Sequence, residues 1–347
     1  LAREVSVIEA VPDSDMPPKE REPAPSSGRL RRIARTLLIN AAQLGIVGLA
    51  ATFLMFVLLR TIPGDPARTV SGPGGSVSPE QIARIRSELG LDKPVVVQYF
   101  DWLSAAARGD LGKSLVLNDS VTTLLSDRIV VTLQLGMYAL AFALLVAVPL
   151  SVLASRFTSD RANRSVRLVG TLGIAVPSFW LALLLIIAFQ NVLPTFGYSS
   201  LSGGIGAHFQ HMILPTIALG VGMSTLLFET TRASLIGTLN SDYVRTARSF
   251  GIPERRVYSR YALRNALLPT VTIAGLEMGA LMGGALLVEN AFAVPGMGRL
   301  LVQSVLARDY TVVQGCILVL VIVVVSVNLL MDVVYSLIDP RVRTDND

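Results

Sequence analysis

Six runs of mainly apolar residues divide the chain, at about 37–59, 129–154, 168–193, 212–231, 267–290 and 312–336. A helix rises about 1.5 Å per residue and a bilayer's hydrocarbon core is about 30 Å thick, so runs of this length predict transmembrane helices. The pattern therefore predicts an all-α membrane protein with six spans. Its expected organisation is a disordered N-terminal tail (1–28), a first span (29–59), an outer helical region (60–128), a five-helix core (129–343) and a short C-terminal tail (344–347). The tail at 1–28 is rich in Pro, Glu, Asp and Ser and lacks apolar periodicity, which is the basis for expecting disorder. The first run is too long for the apolar region of a signal peptide. The following Arg60-Thr61-Ile62-Pro63 is no small-residue cleavage site, so the span is read as retained.

Within 60–128, Ser78-Pro79-Glu80-Gln81 combines an N-cap, a proline at the first helical position and a capping-box glutamine. Ile82, Ile85 and Leu89 follow on one face, and Gly90 ends that helix. A second helix is expected from Pro94 to near Gly109, burying Val95, Tyr99, Trp102 and Leu103. Together they predict a small helical cap on the outer face.

Charge then orients the spans. The loop at 155–167 carries Arg156, Arg161, Arg164 and Arg167 against Asp160, and the loop at 232–266 carries seven arginines. The loop at 194–211 has no Lys or Arg, and the loop at 291–311 has only Arg299 and Arg308. Basic loops stay in the cytoplasm, so both termini and the 232–266 loop are placed there. Composition agrees with a membrane protein: 52% of residues are hydrophobic, 16% are charged and the mean hydropathy is +0.57. A pI near 9.6 fits nucleic acid in principle, but the arginines flank apolar runs, which the topology rule explains more simply. The single cysteine, Cys316, lies inside an apolar run and reads as a small packing residue; no disulfide framework or cysteine metal site is available.

The stretch at 242–269, within a coupling segment drawn at 240–264, is more than a topology signal. It carries Arg245, Arg248, Arg255, Arg256, Arg260 and Arg264 against Asp242 and Glu254. Tyr243, Ala247, Phe250, Val257, Tyr261 and Leu263 recur between the charges at roughly helical spacing, and Gly251 and Pro253 interrupt them. Two short helices joined by a turn are expected. An ordinary basic loop explains the charge but not the apolar periodicity, which favours a surface that docks a soluble partner.

No catalytic constellation can be assembled. Gly109-Asp110-Leu111-Gly112-Lys113-Ser114 resembles a phosphate-binding loop, but the position that must be glycine is Ala107, and the segment lies on the outer face. ATP hydrolysis by this chain is therefore not expected. His208 and His211 stand three apart with no third ligand nearby, so no metal site is assigned. Glu229 and Glu289 fall near interfaces, where water is expected to reach them, whereas Glu277 lies about ten residues into its span. Glu277 is the candidate for a translocation path, with a bundle-internal hydrogen bond as the alternative. Gly275, Gly279 and Gly283 form one smooth face beside it, suited to close helix packing or to lining a path. Pro149, Pro177, Pro215 and Pro269 should kink or start helices.

From about 36 to 343 the chain resembles the permease subunits of ABC importers, in the dipeptide, oligopeptide and nickel branch. The matching segments are PGDPA (63–67), GLDKPVVVQYFDWL (90–103), GDLGKSL (109–115), VPSFWLALLL (176–185), YVRTARSFGIPERRV (243–257), ALRNALLPTVT (262–272), VENAFAVPGMGRLL (288–301), RDYTVVQG (308–315) and DPRVR (339–343). The superfamily's coupling signature is Glu-Ala-Ala, three residues, Gly, nine residues, Ile-x-Leu-Pro. Arg245-Thr246-Ala247 occupies its first places, Gly251 is correctly spaced, and the Leu-Pro pair is displaced to Leu268-Pro269.

The resemblance implies a type I ABC importer permease fold in the inner membrane. It implies a second homologous permease, two ATPase subunits that carry the ATP and Mg, and an extracytoplasmic substrate-binding protein. It places the ATPase contact on Tyr243, Arg245, Thr246, Ala247, Arg248, Gly251, Arg255 and Arg256, and leaves residues 60–128 to meet the binding protein or cap the gate. Di- or oligopeptides are the implied cargo, with nickel as the alternative within the branch. A stand-alone secondary transporter using Glu277 remains the reading from another class; it expects an internal repeat of spans, and none is apparent.

Overall fold

The computed structural model describes residues 26–61, 92–114, 116–156 and 175–338, with the single positions 80, 170 and 173. Side chains are described from residue 38 onward, up to 334 apart from 332. Helices account for the regular structure of this part, and the strand-like pairing in it is one isolated bridge between Lys113 and Ser120.

The helices in chain order are α1 (Ser26–Thr61), α2 (Val95–Ala106), α3 (Val121–Ala154), α4 (Ser178–Phe189), α5 (Ile205–Leu239), α6 (Asp242–Ser249), α7 (Glu254–Ala291), α8 (Met297–Leu306) and α9 (Tyr310–Ile338). Among the described residues, five helical segments are long and apolar enough to cross a membrane: Leu38–Thr61, α3, α5, α7 and Tyr310–Met331. Helix α5, with 35 residues, spans about 52 Å at 1.5 Å per residue, so it reaches well past a 30 Å hydrocarbon core.

The expected span at 168–193 is described mainly over α4. A bend at Val176 and Pro177 precedes that helix, because Pro177 has no N–H to donate into a preceding turn and starts α4 instead. Pro149, Pro215 and Pro269 lie inside α3, α5 and α7. The helix expected after Ser78 lies outside the described residues, except for Glu80, which is helical. Backbone helix begins at Ser26, earlier than the tail boundary expected at residue 28.

The main core lies between α3, α4, α5 and α7. Ala139, Ala143 and Ala147 of α3 are fully buried at four-residue spacing against Ala218, Leu219, Met223 and Leu227 of α5 and Met278, Leu281 and Ala285 of α7. Small residues on one helix face let backbones approach closely, which favours packing where lipid provides no hydrophobic drive between helices. A second cluster at the other end of the chain's path joins Leu111, Val121, Leu125, Met297, Leu300, Val312 and Cys316. A third, separate cluster comprises Leu235, Leu239, Val244, Val257, Ala262 and Ala266. It belongs to the basic segment.

Helix α2 forms as expected from Pro94, which stands at its N-cap. Tyr99 is buried and Trp102 and Leu103 are half-buried, but Val95 is exposed. Only one narrow side of α2 contacts α1, centred on Tyr99, and Val95 in the first turn precedes that contact. Helix α8 had no counterpart in the sequence reading of the 291–311 loop, which the charge pattern left as a plain connection.

Candidate functional site

The basic segment folds as a small unit with its own apolar floor. Helix α6 buries Val244 and Ala247, three residues apart, on Leu235 and Leu239 from the end of α5 and on Val257, Ala262 and Ala266 from the start of α7. The opposite face exposes Arg245, Thr246, Arg248, Ser249 and Phe250, with Phe250 at 80% exposure. A charged helix with an apolar underside is thus held rigidly while its outer surface stays free.

Gly251 makes the turn possible. Its φ is +74°, a left-handed conformation that side chains with a Cβ adopt at a cost. Its N–H donates to Arg248 O at 2.9 Å, and Ile252 N–H donates to Ala247 O at 3.3 Å, closing the C-terminus of α6. Pro253 then stands as N-cap of the next helix. The Arg248 guanidinium donates to Glu254 at 2.8 Å across the turn, and this hydrogen bond holds its pKa above the ordinary arginine value.

The expected second short helix is not separate. From Glu254 the chain passes through a π-turn at Val257–Ala262 straight into Leu263–Ala291, so the second half of the basic segment and a membrane-length helix are one continuous element. π-turns recur at functional positions because the extra residue re-aims the following turn. Tyr243 spans the joint: its hydroxyl donates to Tyr261 O at 3.4 Å and accepts from Asn265 Nδ2 at 2.9 Å. Arg156, just past α3, lies 5.1 Å from the Tyr258 ring centroid, a cation–π distance.

The eight residues singled out in the sequence therefore divide by physical role. Ala247 packs, Gly251 and Arg248 shape the turn, Tyr243 ties α6 to α7, and Thr246 donates to Asp242 O at 3.0 Å. Arg245, Arg255 and Arg256 are exposed, and Arg245 lies 3.7 Å from the exposed Asp242.

Along α7, Glu277 is half-buried and has no hydrogen-bond or ion-pair partner among the described residues. Gly275 and Gly279 abut α9: a Cβ at Gly279 would lie 3.5 Å from Asn328 Oδ1, and one at Gly275 would clash with Met331. Gly283 faces open space. The glycine face thus serves helix packing over its first half and is open over its second. Leu276, Ala280, Gly283 and Leu287 are exposed along one stripe of the same helix.

Glu289 departs from its expected watery position. It is fully buried, where its carboxylate accepts from Thr132 Oγ1 at 2.6 Å, Gly298 N at 2.8 Å and Arg299 N at 3.2 Å. Thr132 Oγ1 in turn accepts from Met297 N at 2.8 Å. The carboxylate thereby satisfies free N–H groups in the first turn of α8 and pins that helix to α3 and α7. Gly298 lets α8 cross directly over α7, since a Cβ there would collide with the Leu286 backbone. A carboxylate late in an apolar run, followed within a few residues by Gly-Met-Gly, was the available signal.

The segment that resembled a phosphate loop has a structural role. Ser114 Oγ donates to Asp309, which is itself buried and caps the start of α9, with Val312 N donating to Asp309 Oδ1 at 3.4 Å. His208 is fully buried: Nδ1 donates to Ser199 O at 2.7 Å and Nε2 accepts from Tyr138 at 3.1 Å. His211 Nδ1 donates to Ala207 O at 2.9 Å. The two imidazoles are engaged with the protein and do not converge.

Residues 147–344 match the family described as binding-protein-dependent transport system inner membrane component, and residues 30–136 match its N-terminal domain. A peptide transport system permease protein of Brucella abortus (strain 2308) is 40% identical over 312 residues, covering 89% of this chain and 99% of that protein. The glutathione transport system permease protein GsiC of Escherichia coli O6:H1 is 36% identical over 314 residues, covering 88% of this chain and 99% of that protein. Among solved structures, an amino acid ABC transporter crystallised with histidines gives a TM-score of 0.42 at 17% identity, covering 62% of this chain and 92% of that one. With two family matches spanning most of its length and relatives aligned from end to end, the chain belongs to the binding-protein-dependent transport system inner membrane components, the permeases of ABC transporters.

Proposed function

We propose that this chain is the permease subunit of an ATP-driven importer of di- or oligopeptides, working with a second permease, two ATPase subunits and an extracytoplasmic binding protein. The observation that supports the coupling role is α6: an exposed basic helix whose apolar underside packs on the start of α7, and which is joined to α7 by the tight Gly251–Pro253 turn and by Tyr243. A push on α6 is delivered to the helix that bears Glu277 through this packed joint. ATP and Mg reside on the partner subunits, and this chain is no enzyme. Peptide cargo is supported by relatives named as peptide and glutathione permeases, which match over nearly their whole length. Nickel, the other cargo of the branch, gains little from His208 and His211: both nitrogens of His208 and Nδ1 of His211 are held by protein partners.

On this reading the translocation path is lined by the open stripe of α7 around Gly283, with Glu277 at its edge and Gly279 against α9. The test is co-purification of the tagged chain from its native membrane in mild detergent, with and without Arg245→Glu. Recovery of a P-loop ATPase and a second permease with the wild-type chain, and loss of the ATPase alone with the variant, is the expected result. Recovery of the wild-type chain by itself, folded and active in uptake driven by a proton gradient, would overturn it.

A further inference from the structure

We propose that α2 is an interfacial helix whose apolar strip, carried by Val96 and Phe100, lies in the acyl chains of the outer leaflet. The segment belongs to the small helical cap expected on the outer face. Its depth follows from the height at which α2 is fastened to α1.

Tyr99 of α2 shares a hydrogen bond with Thr52 Oγ1 at 2.9 Å and donates to Leu49 O at 3.1 Å. Its ring packs edge-on against Phe53 and Phe56, with centroids 5.1 and 5.5 Å apart, and Trp102 lies 6.1 Å from Phe56. The apolar run at 37–59 has its midpoint at Gly48. At about 1.5 Å per residue, a hydrocarbon core of about 30 Å centred there reaches roughly ten residues further, to Leu58. Phe53 and Phe56 then stand roughly 3–8 Å inside the outer boundary. This overlaps the depth, about 5–10 Å, at which interfacial amphipathic helices bury their apolar face.

The sidedness of α2 agrees. Val96, Phe100 and Leu103 recur at i, i+4 and i+7, and Phe100 is 60% exposed. The neighbouring strip is polar around Val97: Lys93, Asp101 and Ser104 share its side of the helix, Asp101 accepts from Lys93 Nζ at 2.6 Å, and Ser104 is exposed. The apolar strip is continuous in height with Leu54 and Leu58, exposed residues of α1 that face lipid if the segment spans. The Arg60 side chain folds back over the Phe56 ring, 4.2 Å from its centroid, and donates to Gln98 Oε1 at 2.6 and 2.9 Å. A polar group of α2 that faces inward at this depth is therefore satisfied by α1, as a low-dielectric site requires. A helix bathed in water gains nothing from exposing Val96 and Phe100 on one strip.

The experiment places a nitroxide at Val96→Cys, Phe100→Cys, Asp101→Cys and, as the lipid-facing reference, Leu54→Cys. Each variant is assembled in the full transporter in nanodiscs of phosphatidylethanolamine and phosphatidylglycerol. Cys316 is fully buried and stays unlabelled. Collision with molecular oxygen and with a water-soluble nickel chelate is read by power saturation. The expected result is high oxygen and low chelate access at Val96 and Phe100, as at Leu54, with the order reversed at Asp101. Chelate access at Val96 and Phe100 equal to that at Asp101 would place the face in water and overturn the proposal. Exclusion of both reagents would show that a protein subunit covers the face, and would overturn it equally.

Discussion

Replacing Glu289 by alanine removes the acceptor for three donors at once: the Thr132 hydroxyl and the Gly298 and Arg299 amides. All of this happens at a site with no solvent exposure. An unsatisfied buried donor costs about 1–3 kcal/mol, and breaking one side of a buried charged network typically costs about 3–5 kcal/mol in total, because water entering the cavity recovers part of the loss. The Glu289→Ala chain should therefore lose about 3–5 kcal/mol. At roughly 2–4 °C per kcal/mol for a large domain, its unfolding midpoint in detergent should fall by about 6–20 °C. Thr132→Val keeps the shape and leaves the carboxylate its two amide donors, so the loss should be about 1–2 kcal/mol. The double variant should lose less than the sum, since both substitutions remove the same Thr132–Glu289 hydrogen bond. A scanning fluorescence melt of the four proteins measures this. A midpoint for Glu289→Ala within a degree or so of wild type would refute the clamp and restore the reading of a hydrated interfacial carboxylate.

Gly251→Ala, forced to φ +74°, should destabilise the coupling unit by about 1 kcal/mol and lower transport, whereas Gly251→Pro, which also removes the bond to Arg248 O, should abolish assembly with the ATPase; both are read by co-purification and uptake. Val244→Asp puts a carboxylate into the fully buried floor of α6 and should release that helix, seen as new protease cleavage near residue 244 with the membrane core intact. Arg248→Glu should weaken ATPase binding partly through the turn. Adding Glu254→Arg should restore the turn, so any deficit that remains in the swapped pair measures direct contact by Arg248. Glu277→Gln should change uptake without changing assembly or ATPase co-purification, and unchanged uptake would remove it from the path.

The long-period pattern made the membrane helices legible, because lipid imposes one requirement over some twenty consecutive residues. The amphipathic character of α6 is legible only in part: of the apolar positions read at helical spacing, Ala247 and Val257 are buried, but Tyr243 and Phe250 are exposed, and the buried partner of Ala247 on α6 is Val244. What stayed hidden was contact between distant segments. No local signal says that Ser114 meets Asp309, or that Glu289 reaches the amides of Gly298 and Arg299. Glu289 looked peripheral because it closes an apolar run, yet the chain turns back there and places α8 over it. The merger of the basic segment with α7 was missed for a different reason. Gly251 and Pro253 do separate α6 from a second helix, as their chemistry predicts, but that helix is not short: it runs on to Ala291. Likewise, Arg245 and Arg248 were equivalent in the sequence, and only the Glu254 pairing separates a turn-forming arginine from an exposed one.

The central claim is that the exposed face of α6 is where force from the ATPase enters this chain. The most direct measurement is disulfide or bismaleimide cross-linking from Arg245→Cys in the assembled transporter in proteoliposomes, with Leu306→Cys, exposed on α8, as the control. The account predicts a product joining residue 245 to the ATPase subunit, with a yield that changes between the nucleotide-free and ATP-bound states, and no such product from residue 306. A thiol at 245 that stays fully reactive to a soluble maleimide in the intact complex, in both states, would contradict it.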